Sequence, residues 1–170
     1  MSVQEIVRLR RSVREYLPTS VTEDQLDAVL EAGRLAPSAS NLQDWKFLVV
    51  RELETRKKLS AACHNQEFVG QAPVVIVACG TNPTRKMPCG WEAAPVDLSI
   101  AVDHMTLVAR ELELGTCWIG AFDQQAVKDA LGIPEDVSVV TLTPLGHPQS
   151  WPQPRPRKRF EEVVCYETWA

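Results

Sequence analysis

Apolar residues along this chain switch between a helical spacing and an unbroken or alternating pattern, and the switches predict short strands separated by helices. Ser2 and Glu5 form a capping box that opens a first helix with Val3, Ile6 and Val7 on its apolar face. The run Arg10-Arg11-Ser12-Val13-Arg14 breaks that period. Thr22 and Gln25 form a second capping box, and the helix behind it buries Leu26, Val29 and Leu30 and stops before Pro37. Ser38 to Asp44 reads as a polar loop or helix start. Trp45 to Val50 is predicted as a strand with Trp45, Phe47 and Val49 on one face, and Leu53 to Ala62 as a surface helix. The apolar, β-branched run Pro73 to Cys79 is predicted to lie at the sheet centre. Thr81 to Gly90, with two prolines and basic residues, is expected to be the most flexible stretch ahead of the tail.

A long helix is predicted from about Glu92 to Leu114, with Gly115 as its C-cap. Ala94, Leu98, Ala101, Met105, Val108 and Leu112 form one stripe, while Val96, Ile100, Val102 and Leu107 populate other faces. A helix apolar nearly all round must be covered on several sides. In a short chain that favours a dimer core, with burial inside one chain as the alternative. A strand at Thr116 to Ile119, a helix at Asp123 to Leu131 and a strand at Val137 to Leu145 follow. His147 to Arg159 is rich in Pro and Arg, and Val163 to Tyr166 behind it reads as a further strand. A stiff linker that carries a terminal strand away from its own body is what exchange between two subunits requires.

With 170 residues, the chain is read as one domain, 1–170, whose last segment, 147–170, forms an arm. Its 45% apolar and 24% charged residues are those of a soluble globular protein. The net charge of −4 argues against a nucleic-acid partner. Positive charge is nevertheless concentrated in two places, Arg8, Arg10, Arg11 and Arg14 near the start and Arg155, Arg157, Lys158 and Arg159 near the end. Two basic clusters in an acidic chain point to a small anion. No apolar run approaches the roughly 18 residues of a membrane helix, and the start lacks a signal-like segment. Five cysteines without CxxC spacing give neither a disulfide framework nor a zinc site. A cytoplasmic location is expected.

Arg10, Arg11, Ser12 and Arg14 supply three guanidinium groups and a hydroxyl just past a helix, a set suited to phosphate oxygens. A solvated basic turn is the alternative from these residues alone. Strand 74–79 leads into Gly80-Thr81-Asn82-Pro83, without the spacing of a dinucleotide fingerprint or a phosphate-cradling P-loop. No G-x-S-x-G element is present, and His64, His104 and His147 have no evident nucleophile partner. His104 reads as a satisfied core or interface residue.

Five segments, in order and over essentially the whole chain, resemble the nitroreductase family of flavoproteins. They are Arg10 to Arg14; Pro37-Ser38-Ala39-Ser40-Asn41-Leu42-Gln43-Asp44-Trp45; the helix from Asp97 through Gly115; Thr116-Cys117-Trp118-Ile119-Gly120-Ala121-Phe122; and Pro144-Leu145-Gly146-His147-Pro148 with the arginine tail. The resemblance implies an α+β fold, with a mixed sheet flanked by helices, dimerised through the long helix and an exchanged C-terminal strand. It implies FMN as cofactor, with NAD(P)H as reductant and a nitroaromatic, quinone or similar small acceptor.

By the same resemblance Arg10, Arg11, Ser12 and Arg14 hold the FMN phosphate and ribityl chain. Pro37, Ser38, Ala39 and Asn41 approach the flavin from the other subunit, and Gly120 and Ala121 present backbone amides to its ring. Arg155 and Arg157 close over the phosphate, with Arg159 as the alternative register. Asn65 and Gln66 are left open as candidates for the pyrimidine edge. No side chain is implied as acid, base or nucleophile, since the flavin is the reacting centre. Asp44 departs from the family pattern, which commonly has Pro before the Trp, and the segment from Thr81 to Trp91 is shorter than the lid of larger relatives. Reductive dehalogenation or flavin transformation on the same scaffold, or a non-catalytic FMN-binding module, are the rival functions.

Overall fold

A computed structural model describes residues 1–169. Its elements, in chain order, are α1 (Val3–Leu9), α2 (Glu23–Arg34), β1 (Trp45–Val50), α3 (Leu53–Ala62), α4 (Glu67–Gln71), β2 (Val74–Gly80), α5 (Ala93–Glu111), β3 (Gly115–Thr116), α6 (Gln124–Leu131) and β4 (Ser138–Gly146). Both capping boxes form. The Ser2 hydroxyl accepts from the Glu5 amide at 3.3 Å, and the Thr22 hydroxyl accepts from the Gln25 amide at 3.2 Å.

The strands lie in the order β1-β2-β4-β3 and pair antiparallel. A parallel bridge from Ser12 to Thr116 adds the element that makes the sheet mixed. Every residue of β2 is buried, because strand neighbours flank it and both of its faces are covered. Val75, Val77 and Cys79 point to one side, into a core built with Leu59, Val69 and Val127 of α3, α4 and α6. Val74, Ile76 and Ala78 point to the other, against Leu26 and Val29 of α2 and Leu98, Val102 and Met105 of α5. The twofold period of β2 thus divides its side chains between two apolar layers.

The long helix departs from expectation in two ways. Its stripe of Ala94, Leu98, Ala101 and Met105 is buried within one chain against α2 and the sheet, while Val96, Ile100 and Leu107 on its other faces are exposed or half-buried. The helix ends at Glu111, and Glu113, at φ 58°, takes the left-handed position after its end. Gly115 is therefore not the C-cap. It lies in β3, where glycine is required because a Cβ would come within 2.7 Å of Val13 Cγ2.

Other differences are local. Of the first helix's apolar face only Ile6 is buried. The strand expected over 116–119 is reduced to Gly115–Thr116, and Ile119 then bridges Leu142. Residues 81–91 are tied down by the Met87 amide on Trp91 O at 2.8 Å and the Ala93 amide on Arg85 O at 2.9 Å. No strand forms over Val163 to Tyr166. The arm instead makes a 3₁₀ turn at Phe160–Glu162 and runs on exposed. A strand needs a sheet edge to pair its backbone groups, and the arm pairs with no strand of its own chain among the described residues.

Gly115→Ala is expected to destabilise the fold by about 1–3 kcal/mol, since neither Val13 nor the β3 backbone can yield freely. Urea unfolding measures it, and an unchanged midpoint would show that the contact is soft.

Candidate functional site

The segment from Ser12 to Leu17 ties the two ends of the chain together. The Val13 amide donates to Thr116 O and the Leu17 amide to His147 O, both at 2.8 Å, while the Gln149 amide donates back to Glu15 O at 3.0 Å. Val13 is fully buried and Tyr16 nearly so, and these two side chains root the segment in a small core with Ala72. The Tyr16 hydroxyl donates to Val13 O at 2.9 Å. Burial raises its pKa well above the ordinary range, with the neighbouring Cys117 adding to the shift and Arg14 opposing it.

This pairing carries the residues after Gln149 alongside those before Val13. A cleft of about 750 Å³ results, lined by Arg8, Arg10, Arg11, Ser12 and Arg14 on one side and by Ser150, Gln153, Arg155 and Arg157 on the other. The two arginine clusters seen in the sequence are one feature in space. Glu15 is the one carboxylate in the lining, and among the described residues none of these arginines forms an ion pair. Arg11 donates to the carbonyls of Arg8 and Arg10 at 2.7 and 2.8 Å, which fixes its direction. Arg159 is outside the lining and pairs with Glu162 at 3.3 Å, so Arg155 and Arg157 are the tail arginines of the cleft. Unpaired guanidinium groups in one concave surface form a donor set for a phosphate-bearing ligand.

Cys117 lies beside this cleft. Burial raises its thiol pKa, and Arg14, a hydrogen bond with Ser12, and Arg10 pull it partly back. The thiol is thereby held protonated at neutral pH. No histidine or cysteine lines the cleft itself.

Gly120 and Ala121 follow the Ile119 bridge on an exposed turn. Among the described residues neither amide donates to a backbone carbonyl. A Cβ at Gly120 would meet only Trp118 Nε1, at 4.0 Å, so packing does not require glycine there. Its backbone is open to close approach by a flat ligand. Gln66, left open by the sequence, donates through Nε2 to Ala121 O at 3.1 Å and supports this turn from behind.

Pro37, Ser38, Ala39 and Asn41 are not brought to the cleft. Asp97, near the start of α5, accepts from the Ala39 amide at 2.9 Å, whereas the cleft lies by the far end of that helix. From Asp97 to Glu111 a helix rises about 21 Å. Within one chain the two groups of residues are thus separated by most of the helix length.

Two residues that the sequence did not single out lie outside the cleft's lining and fasten its tail-side wall. The Arg110 guanidinium lies 4.0 Å from the centre of the Trp151 ring and donates to Glu113 at 2.8 Å. This contact fastens the root of the arm, next to Ser150 and Pro152, onto the end of α5. Arg110 is only 8% exposed, so the cation–π contact is desolvated, a setting in which such contacts reach about 2 kcal/mol.

The chain matches the model of the nitroreductase family over residues 7–67 and 60–147. It is 31% identical over 176 residues to an FMN reductase [NAD(P)H] of Bacillus subtilis, which covers 94% of this chain and 71% of that protein. It is 30% identical over 171 residues to an NADPH-flavin oxidoreductase of Vibrio harveyi, with 94% and 71% covered. The crystal structure of a nitroreductase family protein from Clostridium novyi NT superposes with a TM-score of 0.84 at 34% identity, covering 88% of this chain and 86% of that one.

A double-mutant cycle between Arg110→Met and Trp151→Leu is expected to give a coupling energy of about 1–2 kcal/mol in chemical unfolding. Additive effects of the two substitutions would show that the stacked pair does not hold the arm.

Proposed function

We infer, because the chain belongs to the nitroreductase family, that it is an NAD(P)H-dependent FMN oxidoreductase that reduces a nitroaromatic, quinone or similar small acceptor as a homodimer. The observation that carries this reading is the convergence of Arg10, Arg11, Ser12 and Arg14 with Arg155 and Arg157 in one cleft free of ion pairs. FMN, as in the Bacillus subtilis relative's name, carries a phosphate, and the donor set fits it. When bound, the flavin supplies the two-electron chemistry, accepting a hydride from NAD(P)H and passing the electrons to the acceptor.

The chain's own residues bind and orient. The cleft arginines hold the phosphate by charge-assisted hydrogen bonds, and the Ser12 hydroxyl adds a donor between them. The amides of Gly120 and Ala121, on exposed residues and not donating to a backbone carbonyl, are the donors for the ring edge. The Cys117 thiol, protonated and buried, stays out of the reaction, and no acid, base or nucleophile is assigned to a side chain.

The loop with Pro37, Ser38, Ala39 and Asn41 completes the site from a second copy. Its separation from the cleft within one chain supports this, as does exposed apolar surface. Val96 and Trp91 are 36% and 71% exposed at the start of α5, and Phe160, Val163 and Tyr166 are exposed on the arm. Exposed apolar side chains of this kind are suited to a contact with another protein surface, and a second copy would bury them symmetrically.

The protein is expected to bind FMN at one per chain and far more tightly than riboflavin. Each charge-assisted hydrogen bond to the phosphate contributes about 1.5–3 kcal/mol, so Arg14→Gln and Arg155→Gln should each weaken FMN roughly tenfold or more and leave riboflavin binding little changed. Equal affinity for the two flavins removes the phosphate assignment. Gly120→Val should weaken both flavins without lowering the melting temperature, because a Cβ there meets only Trp118 Nε1, at an ordinary contact distance of 4.0 Å. Unaltered flavin binding in that variant would take Gly120 out of the site. Stopped-flow mixing with NADH or NADPH, then with a nitroaromatic or a quinone, tests the acceptor, and a reduced flavin that neither compound reoxidises would contradict it.

A further inference from the structure

The loop between α2 and β1 is held in a conformation that its sequence does not favour. Ser40, Asn41 and Gln43 have φ of 56°, 55° and 55°, left-handed backbone at three non-glycine residues within four positions. Such a loop persists only where its surroundings over-determine it. Part of that control is internal, with the Asn41 amide on Ser38 O at 2.9 Å and the Gln43 amide on Ser38 Oγ at 3.1 Å. Two side chains from outside the loop converge on one residue. Asp97 Oδ1 accepts from the Ala39 amide at 2.9 Å, and Arg85 Nη2 donates to the Ala39 carbonyl at 2.8 Å.

Both groups are referenced to the start of α5. Asp97 projects from its first turns and is only 5% exposed. Arg85 lies outside the helix, but its own carbonyl accepts from the Ala93 amide, the first residue of α5, at 2.9 Å. An anion and a cation thus grip the two polar groups of Ala39 from opposite sides. Arg85 Nη1 and Asp44 Oδ2 are both buried beside this loop without a hydrogen-bond partner.

We propose that Arg85 and Asp97 are positioning residues that clamp the Ala39 peptide and so fix the loop from Ser38 to Asn41 in its flavin-binding shape. The inference rests on the assignment of that loop to the flavin site. It gives the 81–91 segment a role as the loop's brace, through Arg85, in place of a covering lid.

The full-length protein and FMN itself serve as the test. Amide exchange over residues 38–43, measured without added flavin, and FMN affinity with the visible spectrum of the bound flavin are compared in Asp97→Ala, Asp97→Asn, Arg85→Met and Arg85→Lys. The Ala and Met variants lose a charge-assisted hydrogen bond, so exchange should quicken about tenfold or more and FMN affinity should fall by a similar factor, with a shifted spectrum. Asn keeps an acceptor and Lys keeps a donor, and both should stay near the parent. If Asp97→Ala fails to fold, the Arg85 pair decides. Unchanged exchange in Arg85→Met overturns the clamp, and quickened exchange with unaltered FMN affinity and spectrum overturns its role toward the flavin. A parent protein that takes up no FMN overturns the cofactor assignment beneath the proposal, and that result appears before any variant is compared.

Discussion

Six guanidinium groups from the two ends of the chain share one cleft, and like charges so placed repel. That repulsion must be overcome by contacts elsewhere, and much of this half of the molecule supplies them. The Ser12–Thr116 and Tyr16–Pro148 bridges fix the first cluster against the sheet end and the start of the arm. Trp151, stacked on Arg110, fixes the second. Val13 fits against Gly115 so closely that a methyl group there would intrude. Unpaired arginines held together in this way are the basis on which an anion site is proposed.

The two-sided core explains why the cleft keeps its shape. β2 is buried on both faces, so α2 with α5 and α3 with α4 and α6 are fixed relative to one strand. α5 then spans the molecule from the clamped loop at Asp97 to the arm's root at Arg110. One helix thereby relates the loop and the cleft that a single chain keeps apart. On the proposed function, a second copy arranged about a twofold axis brings the loop of one chain to the cleft of the other.

Much of this was legible in the sequence because it depended on local periodicity. The capping boxes at Ser2 and Thr22, strand β1 and helix α3 follow directly from residue spacing. The arm's strand reads, in sequence, as one exchanged with a second copy. Val163 to Tyr166 has strand composition but forms no strand within its own chain, because a strand also needs an edge to pair with, which composition does not reveal. Gly115 looked like a helix cap because it follows a long apolar helix, whereas its requirement comes from Val13, a hundred residues away in sequence. Among the site residues, the arginine clusters were visible as charge, but only the pairing of Leu17 with His147 and of Glu15 with Gln149 shows that they are one cleft. Arg85, Asp97, Arg110 and Trp151 act through tertiary contacts. Of these, Asp97 alone left a signal, a carboxylate set between Ala94 and Ala101 in a stripe otherwise apolar.

The claim at the centre of this account is that the joined arginine clusters hold the phosphate of FMN as a dianion. Phosphorus NMR of the complex, titrated with acid, reads this directly. A free phosphate monoester takes up its second proton near pH 6, and several guanidinium groups in contact should hold the bound one deprotonated well below that. The account predicts a bound phosphorus resonance that does not shift between about pH 5 and 7. A bound resonance that titrates like free FMN would place the phosphate in solvent and contradict the cleft's assignment.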